Sequence, residues 1–345
     1  MPKKLSREVK DNTKKKIKRR KEYEGNFSSI VSTGSTLLDL AISGGRIRGG
    51  GLPGGILVEI FGPSGSGKTV LLCEIGGAIQ RQGGINAFND PESRLDKQFA
   101  RMFDLHTKEI AYATPNTVSE VFKTLWEWEP EDTSKINGFL TDSLAALSTN
   151  MEMDNAEGDK MGTRRAKELS EGLRKAARRI SDNNLLMVCS NQVRVNLEAG
   201  MFQEKYKTPG GEAVGFYSTV RLRTFNPKKI KQTETIAGKK VERVIGVTTH
   251  VEVYKNSVWS PYRKAPVTII FDYGVDDIRE NLQFLKTYTS STTYMIGQTK
   301  LARSLEDSIR MVEEEELEDD LKDAVIELWQ DIEDKFKSER KRKKR

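Results

Sequence analysis

Apolar positions along the chain first gather into short unbroken runs. Ile56–Phe61, Ile85–Asn89, Ile110–Ala113, Gly138–Thr141 and Leu185–Ser190 have the length of strands, and Ile56–Phe61 reads as a buried one. Between them the spacing becomes helical and predicts helices over Lys68–Arg81, Glu92–Phe103, Val118–Trp128 and Thr163–Ser181. A further helix is predicted over Thr36–Ile42, and glycines crowd residues 44–55 into a loop before the first run. Strands separated by helices predict a parallel sheet with crossover helices. Past residue 216 only strands are predicted, over Thr219–Phe225, Val244–Tyr254 and Pro266–Asp272, and their alternation fits an antiparallel extension of the same sheet. Leu317, Leu321, Val325, Leu328, Ile332 and Phe336 then recur at helical spacing in an acidic stretch. The expected fold class is α/β: a mostly parallel twisted sheet flanked by helices, with an antiparallel extension. Expected divisions are an N-terminal arm over 1–30, a core over 31–280 and a small C-terminal helical domain over 281–345.

Composition narrows this picture. The chain has 345 residues, 36% hydrophobic, and no apolar run nears the roughly 18 residues of a membrane helix, so no membrane partner is expected. The lysine-rich N-terminus lacks the apolar stretch of a secretory signal. Two cysteines, Cys73 and Cys189, sit in apolar segments and suit buried thiols in a reducing cytoplasm. With only His106 and His250 present, a zinc site or a histidine base is disfavoured, and a carboxylate is the expected base. The net charge of +7 is concentrated at the ends. Residues 1–21 hold eleven Lys/Arg against Glu8 and Asp11, and residues 337–345 hold seven against Glu339. Residues 306–336 hold fourteen acids against Arg310, Lys322 and Lys335. Polycationic ends attract polyanions, nucleic acid first among them.

The chemistry begins at Gly62-Pro63-Ser64-Gly65-Ser66-Gly67-Lys68-Thr69, a G-x-x-x-x-G-K-T loop between a predicted strand and a predicted helix. Glycines let backbone N–H groups close on phosphate oxygens, and the following helix points its positive end at them. Lys68 is expected to reach the β and γ phosphates of ATP, and Thr69 to ligate Mg²⁺. Asp142 ends an apolar strand and is the candidate second metal ligand. Water must also be activated, and Asn89-Asp90-Pro91-Glu92 follows the second strand at the same sheet edge. The residues alone leave Glu92 or Asp90 as the candidate, weighed evenly against a bland reading in which Asp90 caps a helix and Glu92 sits favourably in its first turn.

Together these motifs resemble the RecA family of DNA recombinases, of bacterial or phage-encoded type. The resemblance spans about residues 30–290. It rests on Ser32-Thr33-Gly34-Ser35, the phosphate loop, Ala87–Glu92 with Leu95-Asp96, Thr141–Leu147, Ser190–Arg194, Gly210-Gly211, Phe216-Tyr217 and Val253–Asn256. It implies a RecA-like P-loop ATPase core. Glu92 becomes the carboxylate that activates water, Asp96 and Phe99 flank the adenine, and Gln192 senses the γ-phosphate. DNA-binding loops are implied near 150–163 and 193–209, with Met161, Val195 and Leu197 as wedges between bases and Arg174 and Arg194 near the DNA. Composition agrees in kind: residues 193–209 are polar and basic, and Arg164, Arg165, Lys167, Arg174, Lys175, Arg178 and Arg179 lie on one predicted helix.

The implied function is ATP-dependent homologous pairing and strand exchange in recombination and repair. A helical filament on single-stranded DNA would perform it, in the cytoplasm of a bacterial or phage-infected cell. Partners would be single- and double-stranded DNA, further copies of the chain, and single-strand-binding or mediator proteins. Lys255, late in the β region, is expected at a neighbouring protomer's nucleotide. Two departures touch this coupling: Ser257 and Gly215 stand where the family carries lysines. A hexameric helicase-type motor and a non-catalytic accessory paralogue are the alternatives. The match over 193–211 disfavours the first, and intact Lys68, Thr69, Glu92, Asp142 and Gln192 disfavour the second.

Overall fold

A computed structural model of the chain describes residues 29–154, 161–195, 206–210 and 212–340. The basic arm before residue 29, Leu197, Gly211 and the last five residues lie outside the described residues. So do the side chains of Met161, Arg194 and Val195.

A two-residue ladder, β1 (Ile30–Val31) with β2 (Leu52–Pro53), brackets α1 (Thr36–Ser43). The central sheet then begins with β3 (Ile56–Gly62), whose seven residues are all buried. Helix α2 (Lys68–Arg81) leads to β4 (Asn86–Asn89), α3 (Lys97–Arg101), β5 (Ile110–Ala113), α4 (Val118–Glu127) and β6 (Asn137–Thr141). Next come α5 (Asn150–Asp154), the 22-residue α6 (Met161–Asp182), β7 (Leu185–Gln192), the short pair β8 (Arg194–Val195) and β9 (Tyr206–Lys207), and α7 (Glu212–Tyr217). Strands β10 (Val220–Ile236), β11 (Lys239–Asn256), β12 (Lys264–Ile270) and β13 (Gly274–Val275) complete the large sheet. Helix α8 (Asp277–Thr287), the ladder β14 (Met295–Ile296) with β15 (Thr299–Lys300), α9 (Leu305–Glu314) and α10 (Glu318–Lys335) close the described chain.

The nine-stranded sheet runs β13-β12-β11-β10-β3-β7-β6-β4-β5. From β10 to β5 every pairing is parallel, and from β10 to β13 every pairing is antiparallel. The expected mixed α/β sheet is therefore the observed one. Alternating side chains serve two cores. Ile56, Val58 and Ile60 of β3 join α1, α2 and α8–α10 on one face, while Leu57 joins α4 and α6 on the other. Such double burial explains why the core strands read as unbroken apolar runs. The single charge inside β3, Glu59, is fully buried and compensated: Arg221 Nε donates to it at 2.6 Å and Asn191 Nδ2 at 2.9 Å.

Three elements differ from expectation. The helix predicted over 92–103 shrinks to α3, because residues 90–96 fold into a loop. Asp90 accepts Leu95 N at 2.7 Å, and Asp96 caps α3 by accepting Gln98 N and Phe99 N. Strands β10 and β11 run far past the predicted 225 and 244, pairing outward as an exposed ribbon that turns at Ala237-Gly238. Both turn residues have positive φ, 48° and 79°, as a two-residue hairpin turn requires. Third, the C-terminal apolar stripe is shorter than its sequence spacing. Leu317, Leu321 and Val325 enter the same cluster as α1 and β3, whereas Phe336 is 83% exposed. Arg48 ties the glycine-rich loop to α10 through Asp323 at 2.7 Å and Glu327 at 2.8 Å. Among the described residues no helix is long and apolar enough to cross a membrane.

Candidate active site

Parallel strands leave their C-terminal ends, and the loops that follow, along one edge. The β3/β7 register sets Gly62 beside Gln192, and the β6/β7 register sets Thr141 beside Cys189. One edge therefore carries the phosphate loop, the 90–96 loop, Asp142 and Gln192. These surround a cavity of about 330 Å³. Ser64–Val70, Glu92, Arg94, Asp142, Ser143, Ser190 and Gln192 form its polar part. Phe99, Phe103, Val247, Ile269, Ile270 and Phe271 form an apolar wall.

The phosphate loop leaves no room for other residues at two of its glycines. A Cβ at Gly62 would lie 1.9 Å from Thr224 Oγ1, and one at Gly67 would lie 2.3 Å from Ile269 Cδ1. Gly67 also has φ +85°, a left-handed conformation that starts α2 without a side-chain cap. The amides at that helix start are thus left to meet an anion. Ser66 Oγ braces the loop at 2.7 Å from both Pro63 O and Thr224 Oγ1. Lys68 Nζ folds back on Gly62 O at 3.1 Å and Pro63 O at 2.7 Å. Burial lowers the Lys68 pKa, opposed by the charges of Asp142 and Glu92.

Thr69 Oγ1 donates to Asp142 Oδ2 at 2.5 Å, and Ser190 Oγ donates to the other carboxylate oxygen. The two oxygen donors suit a hard cation such as Mg²⁺, which is bound through one or two protein oxygens with phosphate and water as the rest. No cluster of three or more His, Cys, Asp or Glu side chains able to hold a metal occurs among the described residues. The residues present therefore fit a metal shared with a phosphate ligand rather than one caged by protein alone. Ser143 Oγ is buried without a hydrogen-bond partner on the cavity lining, a further polar group able to face such a ligand.

Glu92 and Asp90 occupy different places. Asp90, 2% exposed, accepts Leu95 N and the Tyr112 hydroxyl (2.9 Å), which anchors the loop. Burial and the Asp90 contact push the Tyr112 pKa up to about 12. Glu92 lines the cavity and pairs with Arg94 at 2.5 Å. Phe99 lines the cavity as well, while the Asp96 carboxylate is spent capping α3.

Of the other described sequence candidates, Lys255, Arg165, Arg174 and Gly210 are not on the cavity lining. Lys255 Nζ donates to Gly215 O (2.9 Å) and Phe216 O (2.8 Å), and burial with the Arg221 charge lowers its pKa. Arg165 is held by Glu152 at 3.2 Å, whereas Arg174 is exposed on α6. Gly210 is buried with φ +93°. Sequence reasoning missed Arg94, Ser190 and the apolar wall from β11, β12 and Phe271. Ser190 lay in a quoted motif but without a role, and nothing local distinguishes the other residues.

Comparison with known proteins adds an independent finding. The family profile described as the RecA N-terminal domain matches residues 4–276. A protein named Protein RecA from Borrelia hermsii is 30% identical over 309 residues, covering 88% of this chain and 83% of the relative. One of the same name from Borrelia duttonii is 32% identical over 312 residues, covering 88% and 82%. Another from Delftia acidovorans is 34% identical over 246 residues, covering 71% and 63%.

Proposed function

The chain belongs to the RecA family, and from that premise we propose that it is a DNA-dependent ATPase that assembles on single-stranded DNA and exchanges strands with a homologous duplex. The observation that carries the reading is the convergence of Lys68, Thr69, Glu92, Asp142 and Gln192, from separate segments of the chain, on one cavity. That cavity joins a phosphate cradle to an apolar wall suited to a flat base.

In this reading the loop amides and Lys68 hold the triphosphate of ATP, and Lys68 exchanges its loop carbonyls for phosphate oxygens. Thr69 and Asp142 would hold Mg²⁺, which neutralises charge developing on the phosphates. Glu92 accepts a proton from the attacking water, and Gln192 at the root of the 193–209 segment reports the γ-phosphate to it. Lys255, outside its own cavity, serves a neighbouring protomer's nucleotide and stabilises charge there. Arg174, exposed on α6, and the basic 193–209 segment face the DNA backbone.

The test is ATP hydrolysis with and without single-stranded DNA, for the natural chain and for Lys68→Ala. The reading expects DNA to raise turnover in the natural chain and the variant to lose it, with both folded alike by circular dichroism. Full DNA-stimulated turnover in the variant would contradict it.

A further inference from the structure

Among the described residues, Lys68 and Arg94 are the cationic side chains on the cavity lining, against the carboxylates Glu92 and Asp142. Arg94 lies outside the phosphate loop. It rides on the 90–96 loop, whose backbone is fixed by the buried Asp90 through Leu95 N, Tyr112 and a Ser93 N to Asp90 O bond of 3.0 Å. Its side chain is 79% exposed, while its partner Glu92 is 22% exposed. The arrangement is an exposed guanidinium arm on a hydrogen-bonded loop, its tip held at 2.5 Å by the carboxylate expected to activate water.

We propose that Arg94 is a γ-phosphate-sensing residue that exchanges Glu92 for the terminal phosphate when a nucleoside triphosphate enters. The inference rests on the ATP-site reading above. Arg94 is largely exposed, so water screens the pair and weakens the hold of Glu92 on the guanidinium. A triphosphate brings several negative charges within reach of the same arm, and guanidinium binds phosphate through two parallel N–H bonds. Moving the arm to the phosphate strips Glu92 of its counter-charge and leaves its oxygens available for water. With a diphosphate the terminal group is missing, and the arm stays on Glu92. The base is thus masked in the diphosphate and empty states and unmasked in the triphosphate state. Lys68 shows the same placeholder arrangement, donating to loop carbonyls instead of phosphate.

The experiment compares affinities of the full chain for ADP and for a non-hydrolysable ATP analogue, both with Mg²⁺, by competition with a fluorescent nucleotide. Arg94→Ala should weaken the ATP analogue about tenfold, the scale of one charge-assisted contact. ADP should change less than about twofold, since the guanidinium does not reach a diphosphate. Arg94→Lys, which keeps the charge and loses the fork, should recover part of the difference. A residue that merely shapes the loop would shift both nucleotides together. Equal weakening of both, or no change, would overturn the assignment while leaving the ATP site intact. Failure of the natural chain to bind either nucleotide would overturn the site reading and this inference with it.

Discussion

At the scale of single residues, the cavity separates groups that the sequence presents as equivalent. Asp90 and Glu92 are both acids after an apolar strand. Asp90 is spent on Leu95 N and Tyr112, and only Glu92 borders the cavity. That distinction was not legible, because Tyr112 lies on another strand, β5, more than twenty residues away. The phosphate loop and Asp142 were legible, because strand, glycine turn and helix are local grammar with one chemical use. Arg94 was not, since its meaning is a contact rather than a spacing. The proposed role of Glu92 makes a specific prediction together with Lys255. Glu92→Gln should bind nucleotide and DNA yet hydrolyse ATP about a hundredfold more slowly, the usual loss for a general base. Lys255→Ala should also be nearly inactive. Mixed and co-assembled, the two should hydrolyse ATP well above the mean of the separate variants, because some interfaces join an intact Glu92 to an intact Lys255. A mixture that gives only the mean would remove Lys255 from the neighbouring site.

At the scale of elements, buried segments announce themselves and exposed ones do not. Helix α2, largely buried, has its predicted bounds, Lys68–Arg81. The outer halves of β10 and β11 face solvent on both sides, so no apolar alternation marks them. Their one readable signal is the Ala237-Gly238 turn between lysine-rich arms. Helix α1 illustrates an element held by polar burial. Asp39, 1% exposed, accepts Thr33 N at 2.8 Å, Thr33 Oγ1 at 2.7 Å and Ser32 Oγ at 2.5 Å, tying the entering chain to the helix. Burial raises its pKa to about 7, against those hydrogen bonds and Lys322. The folded pKa exceeds the unfolded value of about 4, so the protonated form is favoured by folding. Its stabilising contribution is full below about pH 4 and lost as pH rises toward about 7. Asp39→Asn should therefore gain stability relative to the natural chain across that window and level off above it. A few kcal/mol is the scale, at about 1.4 kcal/mol per pKa unit. Denaturant unfolding at several pH values checks this, and a difference independent of pH would contradict it.

At the scale of the whole molecule, one sheet edge gathers the proposed chemistry, and both sheet faces bear cores that hold that edge still. Helices α8–α10 share the α1 and α2 core, so the C-terminal segment buttresses the face from which α2 presents its N-terminus to the cavity. The double-wound core was legible because apolar runs and helical periods alternate regularly from residue 56 to 190. The apolar stripe of α10 was legible, but its place against α1 and the ion pairs of Arg48 and Arg263 with Asp323, Glu327 and Glu333 were not, because they join segments far apart in the sequence. The polycationic ends suit the polyanionic partner of the proposed activity. The central claim is that ATP binding in this cavity drives exchange of DNA strands. Its most direct measurement incubates the protein with circular single-stranded DNA, a homologous linear duplex, ATP and Mg²⁺, and follows joint molecules on a gel. On that claim, joint molecules that require ATP and homology, and that vanish with Lys68→Ala, are expected. Robust DNA-stimulated ATP hydrolysis without any joint molecules, or joint molecules formed equally by Lys68→Ala, would contradict it.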